Sequence, residues 1–228
     1  MAAKRDYGTF SKAAPRLLTP LVTPMGYRQL RGATYARNRQ DWIEGFYLQM
    51  SAYGSGDFCV NIGISIPPLD ALWQSEPDGD GLSLSIYDRV GPCGLDEHWY
   101  CASDTAELQS SIKEVAAGLH LVETWFTGIK SIADIAALYR SRNNVSMQDE
   151  DSHLFVLSNA NYGFLLLLAG DKTGAREWLT WSLAQIEADV AKNEADFARR
   201  KPGKEALGYY EDDVRQMQAI RAALRKVV

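Results

Sequence analysis

At 228 residues, with 46% hydrophobic and 23% charged residues, the chain suits one folded domain, or one domain with a helical extension, and holds no low-complexity tract. Its longest apolar run, Phe164 to Ala169, falls far short of the roughly 20 residues of a membrane helix, and its amino-terminal stretch lacks the continuous apolar segment of a secretory signal, so no membrane partner and a cytoplasmic location are expected. A net charge of −5 excludes a generally basic nucleic-acid binder, and three cysteines form no even disulfide framework.

In chain order, a first helix is expected from about Ser11, with Pro15 in its first turn and an exit at Gly26-Tyr27. A short strand bearing arginines, Ala33 to Arg39, leads into a hairpin that spans Asp41 to Pro67. In its arms Trp42, Phe46, Leu48 and Met50, then Phe58, Val60, Ile62, Ile64 and Ile66, fall on even positions, so each arm has one apolar face. A turn centred on Ser55 sets Met50 opposite Val60, Leu48 opposite Ile62 and Phe46 opposite Ile64. The same register sets Tyr47, Gln49 and Ser51 beside Gly63, Asn61 and Cys59 on a polar face.

Pro67, Pro68 and a polar loop from Gln74 to Gly81 close the hairpin. A strand from Leu82 to Asp88 follows, in which Leu82, Leu84 and Ile86 alternate with Ser83, Ser85 and Tyr87; His98 to Cys101 reads as a last short strand. From Ser103 the period becomes helical, with Leu108, Ile112, Val115 and Leu119 on one stripe and Asp104 and Glu107 at capping spacing. Ser131 restarts a helix to about Arg140, and Asn143 to Ser152 is a polar connector. Beyond it the chain is helical, including an antiparallel pair over about Thr173 to Arg200 and Lys204 to Val228 joined at Pro202-Gly203.

The expected fold is therefore α+β: an antiparallel sheet of about four or five strands with helices on one face, then a C-terminal helical extension packed on it. Residues 1–142 form the sheet domain in this reading and residues 153–228 the extension.

Three motifs in this order carry a family resemblance: Gly26-Tyr27 at a helix exit, Leu48-Gln49-Met50-Ser51 in one strand, and Phe58-Cys59-Val60-Asn61-Ile62-Gly63 in the next. Together with Trp99 and the segment Val122 to Phe126, they resemble the bacterial family called domain of unknown function 4304, over about residues 8 to 140. The resemblance implies a compact α+β fold and brings no catalytic residues. Domains of this kind look similar in style to immunity proteins found beside bacterial toxins.

Candidate site residues follow from the polar face. Tyr47, Gln49, Ser51, Asn61, Ser65, Ser83, Ser85 and Tyr87 would share it, and hydroxyls and amides without an ionisable partner favour binding over chemistry. Charge adds a second group. Residues 1–41 hold eight basic residues against Asp6 and Asp41, a net +6, whereas Asp70 to Glu123 carries −9. Within the basic part, Arg28, Arg31, Arg37 and Arg39 read as an edge strand protected by charge, or as contacts for an acidic protein partner. Cys93, Asp96, His98 and Cys101 match no usual zinc spacing and no oriented nucleophile, so neither a metal nor a cofactor is expected; His120 and His153 have no partner in the sequence. The leading expectation is a non-enzymatic protein-binding module, an immunity protein that binds a cognate toxin. The alternatives are a small-molecule binder or enzyme with a pocket between sheet and helices, and a structural homodimer.

Overall fold

The computed structural model describes residues 7–52, 56–73, 82, 84–143, 145–148 and 155–227, with side chains described from Phe10 onward. The central hairpin pairs β3 (Ile43–Met50) with β4 (Asp57–Ser65). Its partners are Met50 and Phe58, Leu48 and Val60, Phe46 and Ile62, and Glu44 and Ile64. This corrects the expected register by two residues. Ser51 N donates to Asp57 O at 2.8 Å, which closes the loop two positions tighter than a turn on Ser55 allows. The turn residues 53–55 themselves lie outside the described set. A slip of two keeps every side chain on its own face, so the division into apolar and polar faces holds.

Before this hairpin stand β1 (Arg28–Arg31) and β2 (Thr34–Asn38); after it come β5 (Ile86–Gly91), β6 (Gly94–Leu95) and β7 (Tyr100–Cys101). The sheet is antiparallel in the order β1-β2-β3-β4-β5-β6, and β7 pairs with β4. Among the described residues the seven strands exceed the expected four or five, because Gly32 turns the arginine-rich stretch into a strand pair and two of the others are only two residues long. The expected strand Leu82 to Asp88 is displaced: only Ile86 to Asp88 belong to β5, and Ser83 is outside the described residues.

Helices α1 (Tyr7–Val22) and α3 (Thr105–Thr127) cover the apolar face. Pro15 and Pro20 thus lie inside α1, not in its first turn. Gly26, at φ 87°, ends the 3-10 turn Thr23–Met25 that follows α1, as its lack of a Cβ permits. In α3, Asp104 accepts a hydrogen bond from Glu107 N at 2.8 Å, the cap expected from the spacing, and Glu107 reaches back to accept one from Ser103 N at 3.1 Å, one residue before the cap. Aromatic rings fill the space below: Tyr35 stacks on Phe46 at 5.0 Å, Tyr27 meets Phe46 edge-on at 5.0 Å, and Phe58 lies between Phe10 and Tyr100.

One ionic group sits inside this apolar layer. Glu44 is fully buried and accepts from Arg37 Nε at 2.6 Å, Arg39 Nε at 2.9 Å and Trp42 Nε1 at 3.4 Å. The Arg37 guanidinium also donates to Met25 O at 2.8 Å and to Glu123 at 2.9 Å, with the Tyr27 ring 4.5 Å and the Phe126 ring 5.4 Å away. A buried charge is tolerable when its hydrogen-bonding capacity is met in this way.

By contact the chain divides into two units, Met1–Pro67 with Pro77–Gly128, and Pro68–Glu76 with Ile129–Val228. The second unit contains most of α2 (Pro67–Trp73), then α4 (Ile132–Arg142), α5 (Val156–Leu168), α6 (Lys172–Arg199) and α7 (Lys204–Leu224). The short helix α2 precedes the expected polar loop and has no counterpart in the sequence expectation, and α4 clusters with the helical unit although the sequence reading leaves it with the sheet. The antiparallel pair of α6 and α7 is as expected, with Phe197 against Tyr210 at one end and Glu187 bound to Arg221 at 2.7 Å nearer the other. No described helix is long and apolar enough to cross a membrane.

Replacing Glu44 by Ala leaves Arg37 buried without its main counter-charge, and a loss of about 3–5 kcal/mol is expected in urea unfolding. On the alkaline side, burial pushes the phenols of Tyr27 and Tyr100 well above the usual tyrosine range. The unfolded chain gives up those protons near pH ~10 and the folded chain keeps them. Stability is therefore fully present below pH ~10 and falls as pH rises beyond it; tyrosinate absorbance should lag until circular dichroism reports unfolding.

Candidate functional site

The polar face of the sheet is built row by row from the strand registers. Arg31, Thr34, Tyr47, Asn61 and Arg89 are successive cross-strand neighbours, and Arg28, Ala36, Gly45, Gly63 and Tyr87 form the adjacent row. Side chains of one row are about 5 Å apart, so the first row is a polar line with an arginine at each end. The second row is bare at its centre. A Cβ at Gly63 would intrude on the carbonyl oxygen of Ile86, and one at Gly45 would stand 2.8 Å from Leu82 and 2.9 Å from the Tyr35 carbonyl oxygen. Only glycine permits these approaches. Leu82, expected on the apolar face, thus lies over Gly45 on the polar side, a correction that follows from the later start of β5.

The glycines leave Tyr87 without tall neighbours in its row, and 65% of its surface is exposed. Beside it Arg89 pairs with Glu97 and lies 5.2 Å from the Trp99 ring, and Trp99 is itself 41% exposed. The middle of the face is closed. Asn61 is buried and donates to Gln49 Oε1 at 3.0 Å and toward Cys59 Sγ at 3.8 Å; Gln49 is exposed and Tyr47 half-buried.

Of the residues expected from sequence, Tyr47, Gln49, Asn61 and Tyr87 come together here. Ser51 is buried at the hairpin end, and Ser85, half-buried, donates its backbone N–H to Ile64 O at 2.8 Å. Arg37 and Arg39 belong elsewhere, to the Glu44 group on the apolar side. Arg89, Glu97 and Trp99 were not expected. Arg89 continues the odd-numbered alternation of Ser85 and Tyr87 by one step, a signal hidden by ending the strand at Asp88. Trp99 has no periodic signal at all.

The chemistry available is hydrogen bonding and stacking. Burial raises the Tyr47 phenol above its usual range, with the neighbouring Cys59 and Tyr87 adding to the shift and Arg89 opposing it, so Tyr47 keeps a proton to donate. Burial likewise raises the Cys59 thiol, against the lowering influence of Arg89 and the Asn61 amide. At Cys101 slight burial and then the carboxylates of Asp57 and Glu107 raise the thiol, the wrong direction for a nucleophile. His98 packs edge-on against Tyr100 at 4.5 Å, Cys93 and Cys101 are free, and among the described residues no three His, Cys, Asp or Glu side chains gather to hold a metal. His153 lies outside the described residues.

The helical unit holds a hollow of about 280 Å³ between Trp73, Leu157, Asn161 and Arg215. There Trp73 Nε1 donates to Asn161 Oδ1 at 2.6 Å, and Asn161 Nδ2 donates to the Tyr139 hydroxyl at 3.2 Å, so the indole and the amide are already paired. It is smaller than the roughly 300–1,000 Å³ of ordinary ligand pockets.

No curated protein and no solved structure matches the chain. Residues 18–128, which run from the last turns of α1 to the end of the sheet unit, match the family model described as Domain of unknown function (DUF4304).

Proposed function

We propose that the chain is a non-enzymatic protein-binding module that docks its partner on the exposed margin of the polar sheet face, around Tyr87, Arg89 and Trp99. The observation that carries this reading is the exposure of two large aromatics beside a guanidinium, Tyr87 and Arg89 on β5 and Trp99 in the segment that leads into β7. Tyrosine, tryptophan and arginine are the residues enriched at the energetic centres of interfaces, because they bring large contact area and directed hydrogen bonds at small entropic cost. Gln49 and Tyr47 extend the patch with polar groups that can be satisfied by a partner.

The finer form of the proposal is a bacterial, cytoplasmic immunity protein that neutralises a cognate toxin by covering its working surface. The family resemblance and the uneven charge of the chain support it. A blocker gains association rate and selectivity from complementary charge, and the basic first 41 residues set against an acidic middle provide such an asymmetry.

The test is affinity capture from the native host with the tagged full-length chain, followed by titration of whatever binds stoichiometrically. Tyr87→Ala with Trp99→Ala should weaken that partner by at least about tenfold while thermal melting stays put, since both side chains are exposed. Equal affinity for the double variant would remove this face from the interface. A partner whose toxic activity is suppressed at one-to-one stoichiometry supports the finer reading, and a non-toxic partner leaves only the coarser one standing.

A further inference from the structure

A second surface lies on the helix-covered side of the sheet, at its β1 edge. Here α1 and β1 enclose an open groove of about 780 Å³, lined by Lys12, Pro15 and Arg16 from the helix and by Gln29 and Gly32 from the strand pair. Its floor is held in place. The Thr19 hydroxyl is 2.9 Å from the Tyr35 hydroxyl and 3.5 Å from Gln29 Oε1, and Gln29 Nε2 donates to Gly32 O at 2.6 Å.

The charge of this edge is one-sided. From Tyr7 to Gln40 the sequence has no acidic residue, while Lys12, Arg16, Arg28, Arg31, Arg37 and Arg39 are all basic. Arg37 and Arg39 are neutralised by Glu44 and Glu123. Lys12 and Arg16 are exposed, and among the described residues no carboxylate pairs with either. Like charges one turn apart on a helix repel each other, so the pair costs stability in the free protein and gains when an anion arrives. In a chain of net −5 this concentration of unanswered positive charge is local.

We propose that the groove between α1 and β1 seats an acidic segment of a partner protein, with carboxylates of an extended peptide meeting Lys12 and Arg16. The spacing fits. Side chains four apart on a helix stand about 5–6 Å from one another, and alternate side chains of an extended strand repeat every 6–7 Å or so. A single phosphate would instead require donors converging on one point, and a long nucleic acid would meet the repulsion of the acidic remainder of the chain. Pro15 and Pro20 give the groove apolar walls against which the aliphatic parts of such a peptide can rest. The surface is distinct from the polar sheet face, so the failure of one proposal leaves the other intact.

The probe is a fluorescent eight-residue peptide of alternating Glu and Val, titrated into the full-length protein at low salt by anisotropy. Controls are the same peptide with Gln for Glu, tripolyphosphate, and a single-stranded oligonucleotide. The Glu peptide should bind, weaken steeply with salt, and lose about tenfold in affinity both on replacing Glu by Gln and in the double variant Lys12→Gln/Arg16→Gln, with melting unchanged. A charge-matched double variant in the helical unit, Lys201→Gln/Lys204→Gln, should bind like the wild type. Equal binding of the Gln peptide, equal binding by the Lys12/Arg16 variant, equal loss in the Lys201/Lys204 variant, or tighter binding of tripolyphosphate or the oligonucleotide would each overturn the proposal.

Discussion

The rest of the sheet unit is assembled around a charge buried in its apolar layer. Glu44 has no contact with solvent and is answered by three N–H donors, from Arg37 in the adjacent strand β2 and from Arg39 and Trp42 in the connection between β2 and β3. Arg37 spends its remaining donors on the carbonyl of Met25 and on Glu123, so one guanidinium links the exit of α1, two strands and α3. Such a group contributes less net stability than an apolar replacement of equal volume would, but it is intolerant of wrong partners. A strand slip of one residue would carry Glu44 to the opposite face and leave Arg37 unanswered. The ion group thereby reinforces a register that the hydrophobic alternation of β3 and β4 already favours.

The opposite face owes its shape to missing side chains. Gly45 and Gly63 are cross-strand neighbours in the middle of the sheet, and the space above them is taken by Leu82 and by the backbone of β5. Drawing the chain in this closely buries the polar row of β4 and lifts Tyr87 clear at the margin. The exposed patch is thus a consequence of backbone approach at two glycines. Its chemistry follows from residues carried past them: a phenol, a guanidinium held by Glu97, and an indole beside it.

The sheet unit and the helical unit are stabilised differently. In the first, hydrogen-bonded ladders between consecutive strands dominate, with aromatic rings packed below them. In the second, neighbouring helices pack in sequence order, α4 on α5, α5 on α6 and α6 on α7. Gly163 lets α5 and α6 come close, since a Cβ there would stand 2.9 Å from Leu179. The family match ends with the sheet unit at residue 128 and does not extend over α4 to α7.

Periodicity alone determined which residues are strand and which helix through most of the chain, which strand positions face inward, and where α3 and α4 are capped, because these depend on neighbours within a few residues. The polar set Tyr47, Gln49, Asn61 and Tyr87 was legible for the same reason. What the linear order could not contain was decided by tertiary contact. The hairpin register depends on loop closure, the displacement of β5 depends on space left by Gly63, and the strand β1 depends on a turn at Gly32 that only pairing with β2 makes worthwhile. Arg37 and Arg39 look like surface charges in a row of arginines. Their burial was settled by Glu44 and, for Arg37, by Glu123, which is 86 residues away along the chain and is brought to it only by packing α3 on the sheet.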